Sequence, residues 1–225
     1  MKKSLLLLFV LSFSLFVCAQ NRLRVSILGD SYSTFQGYIP DGNQTWYYTP
    51  VDTSRTDVEN VTQTWWWQVI SQAGCLIERN DSYSGATISY HGYNDADFSD
   101  RAFVTRLPRL GSPDVILIFG GTNDDWSGAK LGEYQYDNFS RADLFNYRPA
   151  LANLLQEAKL RYPNVTIFFL INEGLRKEIV ESTKEICRHY DIPYLELKDV
   201  DKKCDHPTAK GMKAISQQVL PLFVR

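Results

Sequence analysis

Apolar residues in this chain gather in short unbroken runs rather than in strict alternation with polar ones. Arg24–Leu28 (RVSIL), Asp114–Phe119 (DVILIF), Val165–Ile171 and Ile192–Leu197 predict strands buried on both faces, with a further short strand over Cys75–Glu78. Between them the period changes. Trp65, Trp66, Val69, Ile70 and Ala73 fall at helical spacing after Thr64, with Gly74 as a stop. Helices are also predicted over Pro149–Leu160, Leu175–Tyr190 and Pro207–Leu222, the last opening on proline. Residues 36–62 and 80–100 are rich in Gly, Pro, Asn, Ser and Tyr and read as irregular excursions. Apolar strands alternating with helices imply a parallel sheet covered on both faces, an α/β fold with three α/β/α layers. No internal repeat or linker divides residues 20–225, which read as one domain.

The first residues follow another logic. Lys2 and Lys3 precede an apolar run from Leu5 to Val17, shorter than the ~20 residues that cross a bilayer. Val17-Cys18-Ala19 suits cleavage before Gln20, so residues 1–19 are expected to be a signal peptide and the product secreted or periplasmic. Lipoprotein processing at Cys18 is the weaker alternative, because Val17 stands where a small residue is wanted. No later stretch is apolar enough to span a membrane.

Composition narrows the function classes. The 225 residues are 44% hydrophobic and 22% charged, as in an ordinary globular chain. Loss of Lys2 and Lys3 with the leader takes the formal charge from −2 to −4. With no basic excess and no dense Lys/Arg run, a nucleic-acid partner is not expected. Cys75, Cys187 and Cys204 form no CxxC pair, and Cys75 and Cys187 read as small buried apolar residues. His91, His189 and His206 lack metal-ligand spacing, so neither metal nor other cofactor is expected.

Ligands of an open parallel sheet bind beyond the carboxyl ends of its strands. Small and reactive polar residues concentrate at those ends: Gly29-Asp30-Ser31, Ser84-Gly85, Gly121-Thr122-Asn123-Asp124 and Asp205-His206-Pro207. Ser31 is the candidate nucleophile and His206 the histidine placed to serve as its base. Acyl transfer also needs donors aimed at the developing oxyanion. The Ser31 N–H, the Gly85 N–H and the Asn123 side-chain amide are the candidates.

ILGDS at 27–31, Gly85 in NDSYSGAT, GGTND at 120–124 and HPTAKGM at 206–212 together resemble the four sequence blocks of the SGNH (GDSL-type) hydrolases, in order and over nearly all of the chain after the leader. The resemblance implies a flavodoxin-like sheet and a metal-independent serine esterase. It also implies Ser31 as nucleophile, His206 as base, and Gly85 and Asn123 as oxyanion donors. One position departs from the pattern. The orienting acid usually stands three residues before the histidine, and here that residue is Lys203. Asp205 and Asp201 are the nearest substitutes, with Asp199 beyond them, and a backbone carbonyl completing a dyad is the other solution.

The substrate reading rests on aromatics. Tyr38, Trp46, Tyr47 and Tyr48 lie in the first excursion, and Tyr83, Tyr90 and Tyr93 flank the second block. They suit either stacking on sugar rings or a packed support for the loops. No long apolar lid is evident, which favours short acyl groups, acetyl first. The resemblance to a family in which polysaccharide deacetylation is common implies a carbohydrate or similar small-molecule ester as substrate. The alternatives are a lysophospholipase- or thioesterase-like hydrolase, a catalytically weakened glycan-binding protein of the same fold, and a flavodoxin-like cofactor binder holding phosphate at Ser31, Ser33 and Thr34. The last leaves His206 and Asn123 unexplained.

Overall fold

A computed structural model describes residues 22–223, so the leader expected at residues 1–19 lies outside the described residues. Five parallel strands form one sheet: β1 (Arg24–Gly29), β2 (Leu76–Ser82), β3 (Val115–Phe119), β4 (Thr166–Ile171) and β5 (Tyr194–Glu196). Their spatial order is β2-β1-β3-β4-β5, the flavodoxin-like doubly wound arrangement. The chain starts near the middle, steps to one edge, then crosses back over β1. The crevice at that reversal is where such sheets bind ligands.

The helices are α1 (Trp65–Gln72), α2 (Phe103–Arg106), α3 (Thr122–Trp126), α4 (Tyr147–Arg161), α5 (Lys177–His189) and α6 (Ala209–Val219). β3 shows why its sequence is uniformly apolar: its alternate residues serve two cores. Ile116 and Ile118 pack with Leu151, Leu155 and Ile186 of α4 and α5, whereas Val115, Leu117 and Phe119 pack with Trp65, Val69, Met212 and Ile215 of α1 and α6. Helices therefore cover both faces of the sheet, giving three layers. Cys75 and Cys187 are buried free thiols, and Cys204 is an exposed one. Among the described residues no helix is long and apolar enough to cross a membrane.

Among the boundaries that differ from the sequence expectation, those of three elements stand out. β2 continues past Glu78 to Ser82, through a polar stretch in which Asn80, Asp81 and Ser82 are nonetheless buried. β5 is shorter than residues 192–197. The last helix starts at Ala209, not Pro207. Thr208 caps it, its Oγ1 accepting from the Gly211 N–H at 3.1 Å. Pro207 instead belongs to a two-residue strand β7 (His206–Pro207), paired antiparallel with β6 (Lys202–Lys203).

Candidate active site

The site forms where β1 ends between β2 and β3. Gly29 is in register with Ser82 on one side and Phe119 on the other. A Cβ at Gly29 would come within 2.6 Å of Ser82 Oγ and 2.7 Å of Ser33, so only glycine lets the chain turn there. Ser31–Ser33 then make one 3-10 turn capped by Asp30, whose Oδ1 accepts from the Tyr32 N–H at 3.0 Å. The turn brings Ser31 to the sheet edge, 2% exposed.

His206 reaches the same point from the far end of the chain. The β6–β7 hairpin turns on Cys204 and Asp205, with φ of 48° and 59°, a left-handed pair that non-glycine residues adopt at a cost. Anchors hold the turn. Tyr32 Oη donates to the Asp205 carbonyl at 2.5 Å, Tyr47 Oη to the Pro207 carbonyl at 2.8 Å and Lys203 Nζ to the Thr53 carbonyl at 2.7 Å. His206 Nε2 lies 2.8 Å from Ser31 Oγ, and His206 Nδ1 lies 2.8 Å from the Cys204 carbonyl oxygen. A carbonyl only accepts, so Nδ1 carries the proton and Nε2 presents its lone pair to the serine.

Neither candidate acid partners the ring. Asp205 is exposed and lends its backbone carbonyl to Tyr32. The Asp201 carboxylate accepts from Thr208 Oγ1 at 2.5 Å and lies 4.0 Å from Lys210 Nζ. The position facing Nδ1 is filled by a main-chain oxygen instead.

The imidazole is enclosed by aromatics. Trp46 stacks face to face on it, with centroids 3.4 Å apart and planes 6° apart, while Tyr32 and Trp126 approach at 5.2 and 5.9 Å. Burial penalises the imidazolium, and this pulls the His206 pKa from 6.5 down to about 4 against the favourable Cys204 hydrogen bond. The imidazole is therefore neutral across the physiological range.

The candidate oxyanion donors follow the flanking strands. Gly85 follows β2 with φ of +82°, and a Cβ there would meet nothing within 4 Å. Among the described residues no acceptor engages the Ser31 or Gly85 N–H. Asn123 sits in the first turn of α3, after Gly121 at φ +93°. Its Oδ1 accepts from Tyr93 Oη at 2.6 Å and its Nδ2 donates to the Ala86 carbonyl at 3.0 Å. The Ala86 carbonyl, which only accepts, thus fixes which end of the amide is the donor, and the second Nδ2 hydrogen is not committed to either contact. Asp124 holds the Gly85 loop from below, accepting from the Ile88 N–H at 2.7 Å and the Ser89 N–H at 3.0 Å.

A buried charge cluster underlies the turn. Arg106 and Asp81 pair at 3.3 Å with both side chains fully buried, and Arg106 also donates to the Gly29 carbonyl at 3.1 Å. Burial raises the Asp30 carboxyl to about 7, and its Oδ2 has no partner among the described residues. A cavity of about 380 Å³ lies at the opposite end of the sheet, lined by Arg24, Pro113 and Val165 among others, with no serine–histidine pair.

The structure thus places Ser31 beside His206, sets Gly85 and Asn123 just beyond the ends of β2 and β3, and leaves the Asp201 and Asp205 carboxylates without a hydrogen bond to the imidazole. Sequence reasoning passed over Trp126, which is 42% exposed beside His206. It stands three residues after Asn123 in α3, a spacing that puts both on one helix face. Arg106 was also passed over, and Asp124, although named in its strand-end cluster, was given no role of its own. Of the first excursion's aromatics, Tyr47 is buried, Tyr38 packs on Trp66 and Trp67, and Trp46 covers His206.

With this geometry in place, the family model for GDSL-like lipases and acylhydrolases matches residues 23–223. The chain belongs to that family. A protein from Bacteroides ovatus described as a GDSL-like lipase is 51% identical, the match covering 90% of this chain and 98% of that one with a TM-score of 0.88. A second so described, from Bacteroides uniformis, is 48% identical over 90% and 96% of the two chains, also with a TM-score of 0.88. An acetyl xylan esterase from Butyrivibrio proteoclasticus shares the fold at 13% identity, over 92% of this chain and 64% of that one, with a TM-score of 0.60. No curated protein matches in sequence.

Proposed function

We propose that this chain is a metal-independent serine esterase that removes short acyl groups, acetyl above all, from carbohydrate or related esters through an acyl-enzyme. The observation that carries the reading is the 2.8 Å approach of Ser31 Oγ to an Nε2 whose tautomer is fixed by the Cys204 carbonyl. As Ser31 Oγ attacks the ester carbonyl, His206 Nε2 takes its proton. The carbonyl oxygen becomes negative facing the Ser31 N–H, the Gly85 N–H and the Asn123 amide, donors of a kind worth ~3–4 kcal/mol each to such a transition state. The tetrahedral intermediate collapses, the C–O bond to the alcohol breaks, and the imidazolium protonates the leaving oxygen. Water then repeats the sequence on the acyl-enzyme, releasing the carboxylic acid and restoring Ser31.

Substrate class is argued from the approach to this pair. Trp126 offers an exposed aromatic face beside the base, suited to the apolar face of a sugar ring. The fold also carries an acetyl xylan esterase, so a carbohydrate ester is within what this scaffold accommodates. Ser31→Ala is expected to lower turnover of p-nitrophenyl acetate by at least ~10³-fold, and a chelator to leave wild-type turnover unchanged. Activity surviving in Ser31→Ala overturns the serine mechanism. Acetate release from acetylated oligosaccharides, run beside an acyl-length series, tests specificity. A preference for long chains removes the glycan reading and favours the lysophospholipase-like one.

A further inference from the structure

The imidazole of His206 is held more firmly than its two hydrogen bonds explain. Bonds of 2.8 Å at Nδ1 and at Nε2 fix the line through the ring. They leave one motion open, a tilt of the ring plane about that line. The Trp46 indole lies flat on the imidazole, 3.4 Å between centroids and 6° between planes, and blocks this tilt. On the other face of the same indole sits the Arg55 guanidinium, 3.9 Å from the ring centroid. Guanidinium, indole and imidazole form three layers.

The surroundings lock the layers. The Trp46 N–H donates to Thr34 Oγ1 at 2.8 Å, one turn beyond the nucleophile. The segment bearing Arg55 is tied at one end to the histidine hairpin, by Lys203 Nζ on the Thr53 carbonyl at 2.7 Å, and at the other to the start of α6, by the Ala209 N–H on Asp57 Oδ1 at 2.7 Å. Both faces of Trp46 are thus occupied, so its ring has no face left for a sugar. One of the aromatics that suited sugar stacking in the sequence is committed to the base.

Building on the serine esterase reading, we propose that Trp46 and Arg55 are positioning residues that hold the plane of the His206 imidazole and perform the orienting task that a carboxylate at Nδ1 performs in a triad. The Cys204 carbonyl sets the tautomer but brings no negative charge to steady the imidazolium. The indole face supplies an electron-rich surface to that cation, and Arg55 beyond it opposes the same cation. Of the charged groups near the ring, Arg55 and Lys202 disfavour the imidazolium and Asp205 favours it. Ser31 and Tyr32 meet it as neutral hydroxyl and phenol. The balance, with water kept off the stacked face, is a base that remains neutral until a serine proton reaches it.

The test compares Trp46→Leu, Trp46→Phe, Arg55→Gln and Ser31→Ala in the full chain. It reads kcat, KM and the pH dependence of kcat/KM on p-nitrophenyl acetate, beside thermal melting. Trp46→Leu is expected to lower kcat about 10–100-fold, as small misplacements of a catalytic group do, with KM within about threefold. Its acid limb moves to higher pH, because readmitted water relieves the burial that holds the imidazole neutral. Trp46→Phe restores a flat face and most of kcat. Arg55→Gln removes a cation that opposes protonation, so its acid limb also rises, with a melting temperature within about 2 °C of wild type. If Trp46→Leu does not fold, Arg55→Gln decides alone. Unchanged kcat and acid limb in that variant overturn the inference, as does a Trp46→Leu effect confined to KM. Either result with an inactive Ser31→Ala leaves the esterase reading standing, whereas an active Ser31→Ala removes that reading itself.

Discussion

Asp30 is the residue where the cost of building the site is concentrated. Its carboxyl is fully buried, accepts from the Tyr32 N–H through Oδ1, and has an Oδ2 with no partner among the described residues. Desolvation dominates, so the folded chain holds this proton up to about 7, while an unfolded aspartic acid releases it near 3.8. Between those values the folded state binds more protons than the unfolded one, and stability falls as pH rises through the window. The span corresponds to roughly 4 kcal/mol lost above neutrality. Asp30→Asn keeps the acceptor for Tyr32 and cannot ionise. Relative to wild type it should therefore gain up to ~4 kcal/mol between pH 4 and pH 8. Urea unfolding at the two pH values checks this, and a difference independent of pH refutes the assignment.

Among the elements, α2 is short, yet it organises the edge. Its Arg106 reaches through the core to the Gly29 carbonyl of β1 and to Asp81 of β2, and its Nε donates to the Arg101 carbonyl at 2.6 Å. Arg106→Met would bury a carboxylate without its partner, a change that costs about 3–5 kcal/mol. The expected result is a matching fall in urea midpoint, and a loss below ~1 kcal/mol would show that Asp81 finds another donor. The same cluster explains what the sequence could and could not reveal. β3 and β4 were legible because both faces of a central strand are apolar. The second half of β2 was not, since Asn80, Asp81 and Ser82 are buried on hydrogen bonds and charge rather than on hydrocarbon: Asn80 Nδ2 donates to the Ser33 carbonyl at 2.9 Å and Ser82 Oγ to Asn80 Oδ1 at 2.6 Å. α3 has five residues and a polar first turn, too little to show a period. The β6–β7 hairpin turns on Cys204 and Asp205 in place of the Asn-Gly that advertises such a turn, so Pro207 reads as a helix start.

For the whole molecule, topology does the assembling. Because β1 lies between β2 and β3, the turns after these strands must emerge side by side, ~5 Å apart at their origins. The turns that carry Ser31, Gly85 and Asn123 are therefore neighbours although the residues are far apart in the sequence. That convergence was legible from four clusters at strand ends. The partner of His206 was not, because a main-chain oxygen leaves no mark in a sequence. Its identity has a measurable consequence. A carboxylate at Nδ1 would favour the imidazolium and hold the histidine pKa up. The uncharged Cys204 carbonyl does so less, and burial under Trp46 prevails, taking the imidazole to about 4. In free enzyme the base is lost only when Nε2 is protonated, so kcat/KM for a neutral ester should stay level from pH 7 down to about 5. It should then fall tenfold per pH unit below about 4. A pH series on a short-chain ester in wild-type protein, with folding monitored at each point, reads the limb directly. An inflection near 6.5 would mean that the imidazole is solvated in the working enzyme, and that the enclosure by Trp46, Tyr32 and Trp126 opens before catalysis.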